Sequence, residues 1–325
     1  MKKREKRYGR GVFTVLCIGV FFAVFVASII FKFTYQPKEL RKYTINWTPQ
    51  IGSIHTDLRY GKAPANTFDL YLPSDINRKN CGLVVYLHAG GFTSGDKSDD
   101  KKMLQWLCSK GYVAAGVNYT LRNDQNPASN VYSQSKEIKA SIAVIAKEAE
   151  KLGFDISCMA ISGGSAGGTL AMLYAYRDAS ASPVPVKMLF QAVGPPSFYP
   201  EDWSIYGLDK SPEAAASLFS VMSGSKITTD MLHTDAFEEA IKPISAFKWI
   251  NKNSVPTVCA YGVYDKICPF NSVKHLIKAL KDHHVPHEYI EFTHSGHALQ
   301  NDNKKYITYM QKVEEYLNAY MPVNK

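Results

Sequence analysis

A chain of 325 residues with 46% hydrophobic, 21% charged and 12% aromatic side chains has enough apolar material for one large catalytic domain. These averages are those of a globular protein and exclude a disordered, collagenous or coiled-coil chain. The formal net charge of +9 does not mark a nucleic-acid binder, because residues 1–42 hold ten Lys/Arg against two acidic residues; the remainder is nearly neutral, with no basic stripe to follow a phosphate backbone.

From Gly11 to Phe31 run 21 residues without a charge, preceded by six basic residues within the first ten. At ~1.5 Å rise per residue such a helix spans roughly 30 Å, the thickness of a bilayer's hydrocarbon core. A cleaved signal peptide would have a shorter apolar stretch ending in an A-x-A-like site. Here cleavage after Ala27 would leave bulky Phe25 where a small residue belongs, and Leu16 before Cys17 is too large for a lipoprotein site. The expectation is an uncleaved single-pass signal anchor over residues 11–32, with residues 1–10 as a basic cytoplasmic N-terminus. Six Lys/Arg precede the span and four follow it, so the positive-inside rule puts the bulk of the chain on the extracytoplasmic side, with the membrane as partner.

Residues 33–53 read as a linker, and the chain up to about residue 65 shows little periodicity beyond an edge element. A single domain is expected over residues 54–325. Short apolar runs at 82–88, 112–118, 156–161, 187–192 and 256–261 are strand-like, as is the run HEYIEF at 287–292, and helical patterns separate most of them. Ile138, Ile142, Ile145, Ala149 and Leu152 form one apolar helix face that Gly153 closes. Tyr306, Met310, Val313 and Leu317 repeat that pattern in the last helix. This alternation predicts an α/β fold, a mostly parallel central sheet with helices on both faces. The stretch over residues 197–245 is too long for an ordinary βα connection and reads as a lid-like insertion. Five cysteines follow Cys17, with no C-x-x-C pair and no interleaved histidines, so no metal site is expected. Cys158 and Cys259 lie in apolar runs and are expected to be buried thiols.

The chemistry-bearing residues fall at strand ends. Gly163-Gly164-Ser165-Ala166-Gly167 follows a strand and precedes a helical pattern, the context in which G-x-S-x-G forms a nucleophile elbow with an exposed serine hydroxyl. The upstream strand ends in His88-Ala89-Gly90-Gly91, where backbone N–H groups can form an oxyanion hole. Gly90, Gly91 and Ala166 are the expected donors, because side chains there would hold the substrate carbonyl away from the amides. A serine hydroxyl needs a base and the base an orienting carboxylate. Asp265 lies just after one downstream strand and His297 after the next, in the order Ser165, Asp265, His297. His294 is the alternative base, and Asp282 and Glu291 are less well placed alternatives to Asp265. Tyr199, Trp203, Tyr206 and Phe219 in the insertion read as lid core or as an acyl or sugar-stacking pocket.

From about residue 54 to 320, through FDLYLP, YLHAGGFTSGDK, GYVAAGVNYTL, GGSAGG, GVYDKICP and SGHAL, the chain resembles an α/β-hydrolase-fold esterase of the hormone-sensitive-lipase and acetyl-esterase group. The resemblance implies a serine carboxylesterase of short-chain acyl esters, with Ser165, Asp265 and His297 as triad, Gly90, Gly91 and Ala166 as oxyanion hole, and no cofactor. Small-molecule or carbohydrate esters are the implied substrates. The chain departs from the group's pattern at Ala89, where the first of three glycines usually stands, and at Gly164, where an acidic residue is common. The rival expectations are a serine peptidase on the same fold and a non-catalytic binding protein on this scaffold.

Overall fold

All six strand-like runs form strands in a computed structural model that describes residues 13, 16–28, 38–74, 77 and 79–323. Two further strands, β1 (Gly52–Arg59) and β2 (Thr67–Pro73), precede β3 (Cys81–Leu87), β4 (Val113–Val117), β5 (Ile156–Gly164), β6 (Val186–Ala192), β7 (Thr257–Gly262) and β8 (His287–Phe292). They build one eight-stranded sheet in the order β1-β2-β4-β3-β5-β6-β7-β8. β1 and β2 pair antiparallel, as do β2 and β4, and the remaining pairs are parallel. Consecutive residues Leu83, Val84 and Val85 are all fully buried, which requires that both faces of the sheet be covered.

The covering elements include α1 (Lys101–Ser109), α2 (Val131–Lys151), α3 (Ala166–Leu173), α6 (Val273–Asp282) and α7 (Asn303–Tyr320). Along α2, Ile138, Ile142, Ile145 and Ala149 are fully buried, as the 3.6-residue period requires. Gly153 takes φ 90° just past the helix end, a conformation for which glycine carries no steric cost. The insertion carries α4 (Pro212–Ser223) and α5 (Asp235–Ile241) between them in sequence. α4 starts at Ser211, whose hydroxyl accepts from the Ala214 amide, with Pro212 in the first turn, and it stops at Gly224 with φ 75°. Phe219 of α4 meets the rings of Phe198 and Trp203 edge-on, and those two rings stack on each other.

Strand order places the site. β3 connects outward to β4 and the chain then crosses to β5 on the opposite side of β3, so the direction of winding reverses between β3 and β5. Ligands of open α/β sheets sit beyond the carboxyl ends of the strands at such a switch point. The segments 88–91 and 163–167 leave β3 and β5 there.

The chain divides into two compact units, residues 1–42 and 43–325. In the first, residues 16–28 are helical, with the Phe21 and Phe25 rings stacked, and a short helix follows at Lys38–Arg41. Among the described residues no helix is long and apolar enough to cross a membrane. Residues 11, 12, 14, 15 and 29–32 of the expected span, and the basic residues 1–10, lie outside the described residues. In the second unit, part of the expected linker belongs to the fold: Tyr43 packs against Trp106 and Trp47 against Tyr71, at ring separations of 5.6 and 6.0 Å. Cys259 is buried in β7 as expected, but Cys158 is half-buried, because β5 enters the core only from Met159 onward.

Candidate active site

The turn from β5 to α3 is crowded enough to dictate its residues. A Cβ on Gly163 would lie 2.5 Å from the Gly167 carbonyl carbon, and one on Gly167 would lie 2.0 Å from the Leu87 carbonyl oxygen. Neither backbone can yield without moving α3 or β3, so both positions exclude side chains. Between them Ser165 takes φ 53° and ψ −120°, a conformation costly to any residue with a Cβ. The Ser165 N–H donates to the Ala192 carbonyl at 2.8 Å, which helps hold it there.

The Ser165 Oγ lies 2.9 Å from His297 Nε2, and His297 Nδ1 lies 2.8 Å from Asp265 Oδ2. The other Asp265 oxygen accepts the Ile267 and Cys268 amides at 2.8 and 2.9 Å. With every near donor aimed at the carboxylate, Nδ1 carries the imidazole proton and Nε2 presents its lone pair to the serine hydroxyl. Asp265 is buried while the His297 side chain keeps 21% of its exposure, enough to reach a substrate. Gly262, at the end of β7, is needed for the approach of this histidine loop, since its Cβ would meet the Gly296 carbonyl at 2.3 Å.

His294 stands elsewhere: its side chain is 77% exposed and its Nδ1 pairs with Asp302 at 2.9 Å. Asp282 pairs with Lys278, and Glu291 accepts from the Tyr289 hydroxyl. Asp302 is a residue that sequence reasoning missed. Its carboxylate also accepts the His294 amide and the Ser295 hydroxyl, pinning the loop that carries His297. Although burial opposes it, these bonds hold the Asp302 carboxyl below its ordinary range. The available signal was an acidic residue directly before the last helical pattern.

After β3 the chain turns sharply. Gly90 has φ 126°, and a Cβ there would lie 1.9 Å from the Ser94 carbonyl oxygen; Gly91 has φ 59°. The Gly90 carbonyl accepts the Thr93 and Ser94 amides, which closes the turn. His88 lies flat on the Tyr119 ring at 4.3 Å, and its Nδ1 meets the Ala89 carbonyl at 2.7 Å. Burial pushes the His88 imidazole below its ordinary range despite that carbonyl and the carboxylates of Asp96 and Asp99, so it stays neutral and donates from Nδ1. Ala166 opens α3, and the first amides of a helix have no intrahelical acceptor.

Ser165, Gly91 and Ala166 share a cavity of about 280 Å³; Gly90 lies one residue back, where it makes the turn. Phe92 and Pro195 continue the wall, the insertion adds Trp203, Tyr206, Leu218 and Met222, and the segment after Asp265 adds Ile267 and Cys268. No lining side chain is charged. Tyr199 and Phe219, also singled out in the insertion, do not line it: Tyr199 packs on Phe247 and His275, and Phe219 backs Trp203. Burial and the nearby Asp265 push the Cys268 thiol up, so it is a neutral apolar surface there. Among the described residues no group of three or more His, Cys, Asp or Glu is arranged to hold a metal ion.

A family model, BD-FAE, matches residues 68–280. Among curated relatives, Esterase LipI of Mycobacterium tuberculosis is 27% identical over 145 residues, 44% of this chain and 44% of its own length. Esterase LipC of the same organism is 21% identical over 232 residues, 68% of this chain and 54% of its own. The chain thus spans about half the length of the curated relatives it matches. Of solved structures, a thermophilic esterase of Thermogutta terrifontis has a TM-score of 0.65 at 19% identity, covering 84% of this chain and 94% of that one. That esterase has also been solved with propionate and with butyrate bound. Esterase B of Lactobacillus rhamnosis gives a TM-score of 0.65 at 19% identity, covering 93% and 95%. These likenesses show the α/β-hydrolase fold.

Proposed function

The chain belongs to the BD-FAE family of α/β-hydrolases, and from that premise we propose that it is a serine carboxylic ester hydrolase of short-chain acyl esters. The observation that carries the reading is the unbroken hydrogen-bond chain from Asp265 through His297 to Ser165, opening on an uncharged cavity. The esterases among its relatives, and the propionate and butyrate held by the Thermogutta enzyme, support the same reading.

In the proposed cycle His297 Nε2 takes the Ser165 proton as Oγ attacks the ester carbonyl. Asp265 fixes the tautomer and stabilises the imidazolium. The tetrahedral oxyanion is held by backbone amides of Gly90, Gly91 and Ala166, which are preorganised and lose nothing to reorientation during the reaction. His297 then protonates the departing alkoxide, and water, activated by the same imidazole, releases the acid from the acyl-enzyme. The alcohol comes from a small-molecule or carbohydrate ester. The test is hydrolysis of p-nitrophenyl esters from acetyl to dodecanoyl by the full chain beside Ser165→Ala. Short esters should turn over, with the variant slower by about 10⁴-fold or more. Folded protein inert toward the whole series would return the peptidase and non-catalytic readings.

The proposal includes an anchor over residues 11–32, with residues 1–10 cytoplasmic and the hydrolase unit extracytoplasmic. It is supported by the uncharged run Gly11 to Phe31, by the basic residues before it and by the helical residues 16–28. Carbonate washing of membranes should leave the full chain in the pellet; its release into the supernatant would remove the anchor from the reading.

A further inference from the structure

The geometry separates the two halves of an ester. His297 must hand its proton to the departing alcohol, and the cavity is walled by Ser165 and its neighbours but not by His297. The alcohol therefore leaves on the imidazole side, and the cavity is left for the acyl chain. At about 280 Å³ it falls just below the range of small-molecule pockets, roughly 300–1,000 Å³.

Two of its walls come from different parts of the chain, one from the insertion and one from the segment that follows Asp265. The insertion wall is fixed at Trp203: the indole donates to the Ser197 carbonyl at 3.0 Å and stacks on Phe198 at 5.4 Å. Next to it, buried Asp202 pairs with Lys274 and His275 at 2.9 and 2.8 Å, tying the insertion to α6. Tyr206 is different. Its ring stands 5.7 Å from Trp203 and lines the cavity, yet the residue is 49% exposed. Its hydroxyl donates to the carbonyl of Ile267, itself 56% exposed, at 2.8 Å. A bond between the two walls thus lies where the cavity meets solvent, and it is a neutral one in competition with water, the kind that opens most readily.

We propose that Tyr206 selects the acyl chain: its hydroxyl, bound to the Ile267 carbonyl, keeps the insertion and the segment after Asp265 together at the cavity's open edge and excludes chains that need the walls apart. Short acyl groups fit with the bond intact. Longer ones require it to break and the ring to swing outward. This rests on the esterase reading.

The experiment compares kcat/KM for p-nitrophenyl butyrate and octanoate in the full chain, Tyr206→Phe and Tyr206→Ala. The octanoate-to-butyrate ratio is internal to each protein, so a general loss of folding or activity does not move it. The ratio should rise several-fold in Tyr206→Phe, which loses only the bond, and about tenfold or more in Tyr206→Ala, since each methylene gained in an apolar pocket is worth roughly that much. A ratio unchanged within about twofold in both variants overturns the proposal. A rise in Tyr206→Ala alone overturns the role of the hydroxyl. Failure of the esterase reading would look different: wild type would not turn over butyrate at all.

Discussion

At Gly163 and Gly167 of the nucleophile elbow an added methyl group meets only backbone, whereas three of the four insertion side chains that line the cavity, Tyr206, Leu218 and Met222, keep contact with solvent. The first region is over-determined: Gly163, Gly167, Leu87 and Ala192 leave the serine one conformation, and the strain at φ 53° is borne by strands on both sides. The second has a stiff root at Phe198, Asp202 and Trp203 and a looser rim. Chemistry needs the first kind of order, because the attacking oxygen has to be placed within fractions of an ångström. Selection among acyl groups is served by the second, whose walls part at the cost of a few weak contacts.

The contrast is broken most severely at Gly167. A Gly167→Ala substitution puts a methyl group 2.0 Å from the Leu87 oxygen and 2.6 Å from the His88 oxygen, both in the segment that leads to Gly90 and Gly91. We expect a loss of at least ~3 kcal/mol in denaturant unfolding. Any esterase activity left should fall by about 100-fold, the effect of displacing a reacting group by an ångström. Activity within a few-fold of wild type would mean that the elbow relaxes as easily as the rim.

A smaller effect is expected at the insertion's root. Asp202 is drawn below the ordinary carboxyl range: burial opposes this, but His275, Lys274 and the Ser197 hydroxyl outweigh it. A depressed native carboxyl stabilises the fold above the unfolded carboxyl range and loses that contribution as pH falls through the lower native value. Asp202→Asn should therefore cost about 1–3 kcal/mol at pH 7 and flatten the acid limb of the stability curve. Equal losses at pH 7 and at pH 3, followed by thermal unfolding, would show that the carboxylate does not tie the insertion to α6.

These two regions were also unequally legible in the sequence. Ser165, Asp265 and His297 were readable in order, because backbone crowding forces glycine around the serine and strand ends fix where the partners emerge. β3 to β7 were readable as apolar runs, since a parallel sheet buried on both faces leaves little room for polar residues, while the edge strand β8 keeps polar residues at half-buried positions. β1 was visible only as an edge element, and β2 did not stand out by period. Trp203 and Tyr206 were singled out together with Tyr199 and Phe219, and nothing local distinguishes the pair that reaches the cavity from the pair that does not. That choice depends on Asp202 meeting Lys274 and His275, some seventy residues on, and on Phe247 and His275 receiving the Tyr199 ring. The roles of Asp302 and Ile267 were hidden for the same reason.

Gly164 sharpens the comparison from inside the elbow. It stands between two glycines that admit nothing, yet a Cβ built on it meets no atom within 4 Å, and its φ is not positive. Glycine is required at 163 and 167 by contact, but at 164 neither contact nor backbone conformation requires it. The acidic residue common at this point in similar esterases would find open space here, so its absence is not steric. Gly164→Ala removes conformational freedom from the unfolded chain without adding a clash, and substitutions of that kind stabilise by ~0.4–1 kcal/mol. Urea unfolding should show a small gain in midpoint with an unchanged slope. A loss instead would mean that crowding extends through the whole turn, and that the serine's neighbours are held by more than the contacts at Gly163 and Gly167.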